Sequence, residues 1–374
     1  MHRTILFLII FIACATCLGN HPVVAQERAS SAAGLLPIMQ GWKWGYIDRA
    51  GTVVIKPQFD MAGEFSEGLA MVSYGRNLPT EMDDAPSVLF GGTTTLRPVP
   101  VDSVKWAFID PTGKIVIQAP PGMDFMGSGF SGGLAKVSTY VPGKGTLWGY
   151  IDKTGKVVIE PKFSYAYWFT EGLAAVCNGH QKCGFIDKSG RYVVPPKYMQ
   201  TFPFVGDYGF VATAPDTVGF INRAGEMVIQ PQFGARVGLG FSEGLSVIAY
   251  ANTSKYGYID EQGTLVINPD FDMAGGFSEG LANVQIDGKW GYINKDGKMV
   301  IPPQFIDATS FSEGLASVRT DKGCGYIDKA GKFVIEPQYD GGAFPFSGGV
   351  AVVMTAAGRG YIDKTGKFIW PPTK

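Results

Sequence analysis

Histidine is nearly missing from this chain. Only three of 374 residues are histidine, and two of them, His2 and His21, fall in an N-terminal segment that reads as a leader. His180 is then the one imidazole on which a Ser–His–Asp or Cys–His mechanism would depend. It lies in Cys177-Asn178-Gly179-His180-Gln181-Lys182-Cys183, a polar connector where a solvated side chain is the ordinary expectation. The C-x-x-H-x-x-C spacing offers zinc three ligands without an obvious fourth. No Walker loop, H-E-x-x-H or EF-hand pattern occurs. The sequence therefore speaks against a histidine- or metal-dependent enzyme, and no catalytic, cofactor-binding or metal-binding residue is assigned. A carboxylate pair assembled from distant positions stays open.

An excess of charge is missing too. Lysine and arginine total 32, aspartate and glutamate 33, and the formal net charge is −1. No global basic field exists to hold a nucleic acid or an anionic membrane. Beyond the run Ile5 to Leu18, no apolar stretch approaches the length of a membrane span. With Arg3 before that run and Val23-Val24-Ala25 ahead of Gln26, residues 1–25 are expected to be a signal peptide and 26–33 a short linker. The mature chain is then exported, periplasmic or extracellular, with no membrane span. A retained signal anchor is one alternative. Lipid attachment at Cys14 or Cys17 is another, although the residues before Cys14 fit a lipoprotein site poorly.

Glycine and aromatics are plentiful: 51 Gly, 25 Phe, 16 Tyr and 7 Trp. Turns joining short aromatic strands account for both. A motif G-[YF]-I-[DN] begins at Gly45, Gly149, Gly184, Gly219, Gly257, Gly291, Gly325 and Gly360, and a ninth copy has Ala107 in the glycine place. Most copies are spaced by about 35 residues, a period that marks a repeat architecture. The clearest copy reads F-S-E-G-L-A-N-V from Phe277, then Trp290 to Asn294, K-D-G-K, M-V-I and P-P-Q-F. Three strands follow, at Leu281 to Val284, Trp290 to Asn294 and Lys298 to Ile301.

Asp or Asn opens the turn between the second and third strands, and Gly stands three places later, as in Asp48 and Gly51 or Asn294 and Gly297. The side chain bonds the backbone ahead, and glycine takes the positive φ that closes the hairpin. These carboxylates are expected to form turns, not to catalyse. Glu67, Glu171, Glu243, Glu279 and Glu313 of F-S-E-G are likewise expected to be solvated turn residues, because Gly132 and Gly348 replace them in two copies. The isoleucine of each motif, Ile47 through Ile362, is expected to be buried. The leading position, held by Trp44, Trp106, Trp148, Trp290 but also by Arg359, is expected to be half-buried.

The K-W-G-Y-I-D core at Lys43 to Asp48, with the flanking F-S-E-G-L-A-x-V and V-I-x-P-x-[FY] segments, resembles the bacterial WG (KWG) repeat family over residues 34 to 374. The resemblance implies an interaction role and carries no catalytic residues. Gly34 to Ile38 align on Gly280 to Val284, and the last copy stops at Pro371-Pro372, so the repeat domain is expected to span 34–374 without a second domain. We expect an all-β tandem array of nine three-stranded antiparallel units, stacked as a β-solenoid or curved ribbon, with a closed β-propeller as the alternative.

The leading functional expectation is a binding or scaffold module for an unidentified protein partner. The alternative is binding or hydrolysis of a cell-envelope glycan, through exposed Trp44, Trp106, Trp148 and Trp290 with nearby carboxylates. A disulfide between Cys177 and Cys183 suits an exported hairpin, and Cys324 is expected to be a half-buried free thiol. Residues 76–103 form the one large insertion. There Glu81, Asp83, Asp84 and Phe90 are candidate partner contacts, and Val88-Leu89-Phe90 is apolar enough to dock.

Overall fold

The computed structural model describes residues 34–75, 104–125, 129–179, 182–214, 217–233, 240–249 and 255–373. All regular structure among them is β: nine antiparallel sheets, one per repeat. The sheets follow one another around a closed ring, a nine-bladed β-propeller. The tandem all-β array stands as expected, and the closed form, not an open solenoid or ribbon, is the one adopted.

Most blades have four strands, not three. In blade 7 these are Met273–Ala274, Leu281–Ile286, Lys289–Asn294 and Met299–Phe305, in that spatial order. The extra strand is the innermost and only two residues long, pairing Met273 with Gln285 and Ala274 with Val284. So short a segment leaves no alternation to read. The outer strand ends in P-x-[FY] and exposes every second residue, so proline falls on the free edge, where it blocks pairing with another sheet.

Both faces of the third strand are buried. Ile47, Ile109, Ile151, Ile186, Ile221, Ile259, Ile293, Ile327 and Ile362 are all fully enclosed, and so are the aromatic residues that precede them. Alternation sends the two side chains to opposite faces, and each face meets a neighbouring blade. Tyr292 of blade 7 packs with Phe311 and Ile327 of blade 8, its ring 4.9 Å from that of Phe311. Its hydroxyl donates to the Thr309 carbonyl at 2.8 Å. Tyr46, Tyr150, Tyr258 and Tyr326 make the same bond to the next blade.

The glycine before that aromatic has a steric cause. A bulge in the outer strand folds its backbone over the third strand. A Cβ on Gly291 would lie 2.4 Å from the Ile301 carbonyl oxygen and 2.8 Å from the Pro303 nitrogen. Gly45, Gly149, Gly219, Gly257 and Gly325 face the same pair of groups. Blade 2 is the exception that fits. Its outer strand pairs Gln118 directly opposite Ala107, no bulge covers that position, and alanine is accommodated.

Candidate functional site

The two faces of the ring differ in kind. One carries the Ser-Glu-Gly and Asp-x-x-Gly turns, and the other carries the connectors between second and third strands.

On the turn face the side chains hold the ring together. Glu67, Glu171, Glu243, Glu279 and Glu313 have φ between 50° and 55°, and the following glycine is also positive, as a type I′ turn requires. Each glutamate reaches across a seam. Glu279 accepts from the Gly314 N–H at 3.1 Å and pairs with Lys329 of the next blade at 3.1 Å. Glu67 with Lys153, Glu171 with Arg223, Glu243 with Lys295 and Glu313 with Lys364 form equivalent pairs. The serine before the glutamate adds a second tie: Ser278 Oγ donates to the Phe311 carbonyl at 2.7 Å. These glutamates are thus inter-blade clamps, which corrects their reading as merely solvated. The sequence concealed this because the partners lie one whole repeat away.

The Asp and Asn residues form the turns expected of them. Asp152 Oδ1 accepts from the N–H groups of Thr154 and Lys156, and Gly155 has φ 85°. Asp187 is pulled down to about 2, first by the Ser189 hydroxyl that donates to it. These carboxylates are engaged with their own turns.

The loop face is irregular. Blade 1 has a two-residue tip, Gly41-Trp42, with φ 58° and 65°. Trp42 is thus a bulky side chain in the left-handed region, and it is 51% exposed. In blade 3 the hairpin strands Leu134–Val141 and Gly145–Asp152 run further out than in other blades and present Tyr140, 72% exposed. Blade 2 opens here after Gly75 and resumes at Val104. The insertion 76–103, with Glu81, Asp83, Asp84, Phe90 and Val88 to Phe90, lies outside the described residues, as do His180, Cys14, Cys17 and the leader.

A cleft of about 490 Å³ lies on this face between blades 3 and 4. Lys144 and Leu147 of the long hairpin form one wall, Phe163 and Ser164 line its base, and Asn178 and Tyr192 of blade 4 close the other side. Asn178 Nδ2 donates to Tyr192 Oη at 2.7 Å. Burial pushes the Tyr192 phenol up, so it stays a neutral donor. Asn178 and Gly179 belong to the connector that Cys177 and Cys183 bracket. Those cysteines face each other across the strand pair and are joined as a disulfide. The sequence did not reveal the cleft, since its walls come from separate repeats.

A profile of the WG-containing repeat matches residues 44–76, 148–179, 184–212, 219–249, 256–290, 290–324 and 325–355, more than half of the chain. The chain belongs to the WG repeat family. No curated protein sequence matches it. Among solved structures, a crystal structure of a eukaryotic initiation factor covers 89% of this chain and 93% of its own, with 13% identity and a TM-score of 0.60. At that identity the likeness is one of fold alone. BamB from Moraxella catarrhalis (14% identity, 62% of this chain, 78% of that one, TM-score 0.39) and the computationally designed Ika8 protein (11%, 66%, 87%, 0.43) are less similar.

The tryptophans that give WG repeats their name are half-buried here. Trp44, Trp106, Trp148 and Trp290 each pack on the edge of a seam core, and Trp44, Trp148 and Trp290 sit opposite Phe59, Phe163 and Phe305 of the outer strand. They do not make the open row of rings that a sugar surface needs. Cys324, at the same repeat position, is a free thiol that is fully buried, not half-buried, because its small side chain sinks where tryptophan cannot. Among the described residues no group of three or more His, Cys, Asp or Glu side chains is placed to hold a metal. No helix long and apolar enough to cross a membrane occurs among them.

Proposed function

We propose that this WG propeller is an exported interaction module that receives a protein partner on its loop face. A repeat propeller is an interaction or scaffold fold by its geometry, since stacked units present broad, nearly continuous faces. One observation carries the choice of face. The turn-face side chains are committed to holding neighbouring blades, whereas the loop face varies from blade to blade and displays Trp42 at a strained φ. A left-handed tryptophan costs about 1 kcal/mol or more relative to glycine. Exposed aromatics of this kind are common anchors at interfaces. Export is supported by the N-terminal sequence pattern, Arg3 followed by Ile5 to Leu18 and Val23-Val24-Ala25.

The test is affinity capture from the native envelope fraction with three baits: the wild type, Trp42→Gly, and a chain in which 77–102 is replaced by the connector at 285–288. The expected result is a partner held by the wild type and weakened by at least one change, with every bait folded. Equal capture by all three would remove recognition from this face.

A further inference from the structure

We propose that the cleft between blades 3 and 4 binds the carboxylate side chains of an acidic, aromatic-bearing peptide segment. This rests on the loop face being the recognition surface and names the chemistry it selects.

Charge is the first argument. At other blades a loop-face lysine is neutralised by the aspartate that follows P-x-F: Lys43 pairs with Asp60 and Lys255 with Asp272, each at 2.5 Å. In blade 3 both members of that pair are replaced, the lysine by Leu147 and the aspartate by Ser164, whose hydroxyl donates to the Cys177 carbonyl at 3.0 Å. No carboxylate lines the cleft. Neither Lys144 nor Lys162, both exposed, forms an ion pair among the described residues. Two ammonium groups thus flank one depression in a chain whose formal net charge is only −1.

Shape and polarity are the second. Leu147 and the partly exposed Tyr192 ring supply apolar surface above the buried Phe163, and the Lys162 ammonium lies 5.2 Å from the Phe163 ring centroid. Tyr192 accepts from Asn178 and keeps its own O–H to donate. Ammonium groups beside an apolar surface suit a carboxylate whose neighbour is apolar. A bare polyanion would leave that surface uncovered, and no arginine fork is present for phosphate. The Cys177–Cys183 disulfide ties the two strand ends beside Asn178 together, which lowers the ordering cost of binding.

The test is fluorescence anisotropy with a labelled peptide of alternating Glu and Phe, its Gln-for-Glu counterpart, and a single-stranded DNA oligonucleotide. Lys144→Gln/Lys162→Gln and Ser164→Asp are the variants. The aspartate stands at that repeat position in blades 1, 6 and 8, so it suits the fold, and melting temperatures verify this. The acidic peptide should bind the wild type, weaken roughly five- to tenfold in either variant, and weaken again at high salt. The Gln peptide and the DNA should bind less well. Unchanged affinity in both variants, no binding at millimolar peptide, or preferred binding of DNA would each overturn the proposal. If the peptide fails while Trp42→Gly or the trimmed loop still reduces partner capture, only this chemistry falls. If capture is unaffected by those changes, the loop-face reading itself falls.

Discussion

The hydroxyl of Tyr361 donates to the carbonyl of Pro37 at 2.7 Å, joining residues 324 positions apart. Like Tyr292 and Tyr326, Tyr361 bonds a carbonyl of the next blade, here the last blade to the first, and its acceptor lies in the strand Leu36–Gln40. Ile38 and Ile47 complete the seam by packing with Val350 and Tyr361. A Cβ on Gly51 would lie 2.3 Å from the Ile369 carbonyl oxygen, closer than the corresponding turn glycines come to their preceding blades. The ends therefore meet through the same surfaces that join every other pair of blades.

The glutamate clamps predict a gain from repairing a gap. At the seam between blades 3 and 4, Gly132 occupies the glutamate position with φ 62°, and Lys188 lies 3.7 Å from where its Cβ would be. Gly132→Glu should bring that lysine into a clamp and raise stability by about 0.5–1 kcal/mol, in the range of a partly exposed ion pair. Gly132→Ala, with the positive φ but no carboxylate, should lower it. Thermal unfolding of both variants decides. A glutamate variant no more stable than the alanine one removes the clamp from the account.

The motif glycine predicts an asymmetry between blades. Gly291→Ala places a methyl against the Ile301 carbonyl and should cost several kcal/mol, as overpacked and strained sites do. Ala107→Gly, in the blade without the bulge, should cost only about 0.5–1 kcal/mol from backbone entropy. Denaturant unfolding of the two variants measures this. Similar losses at both sites would contradict the bulge as the cause.

These contrasts show what the sequence made legible. The Asp-x-x-Gly turns and the buried Ile47 series were readable because turn chemistry and period-two alternation are local. The innermost strand was not, since Met273–Ala274 is too short to alternate. Closure was not, because it follows from the small rotation between blades, which no single repeat encodes. The role of Glu279 was hidden for the same reason, its partners Gly314 and Lys329 lying in the next copy. Nor was there any local signal for the cleft, although Ser164 at a position shared by Asp60, Asp272 and Asp340 is visible in an alignment of the copies.

Acid should loosen the ring in a defined window. Burial alone would raise the Glu313 carboxyl, but the N–H groups of Gly349 and Gly348 and the Lys364 ammonium hold it below its ordinary value. Asp110, Asp152 and Asp363 are also lowered, chiefly by a threonine hydroxyl. A lowered carboxyl stabilises fully above its unfolded pKa and loses that contribution as pH falls through the folded one. Melting temperature should be flat from neutrality to about pH 5 and fall steadily below about pH 4. A flat profile down to pH 2.5 would show that these carboxylates do not support the fold.

Oxidation should be confined to one pair. Peptide mapping without reduction, on protein from an oxidising compartment, should recover Cys177 linked to Cys183. Cys324 should remain a thiol that alkylating agents reach only after unfolding, since it is buried and burial pushes its pKa up. Two free thiols at 177 and 183 would refute the pairing.

The proposed division between a turn face that holds the ring and a loop face that receives a partner is most directly tested by hydrogen exchange, comparing the free propeller with its complex with a captured partner. Protection is predicted at the loop-face connectors, 40–43, 141–145, 178–182 and 286–289, while the Ser-Glu-Gly turns at 66–68, 242–244 and 278–280 stay unchanged. Protection of those turns, with the connectors still exchanging freely, would place the partner on the opposite face and contradict the account.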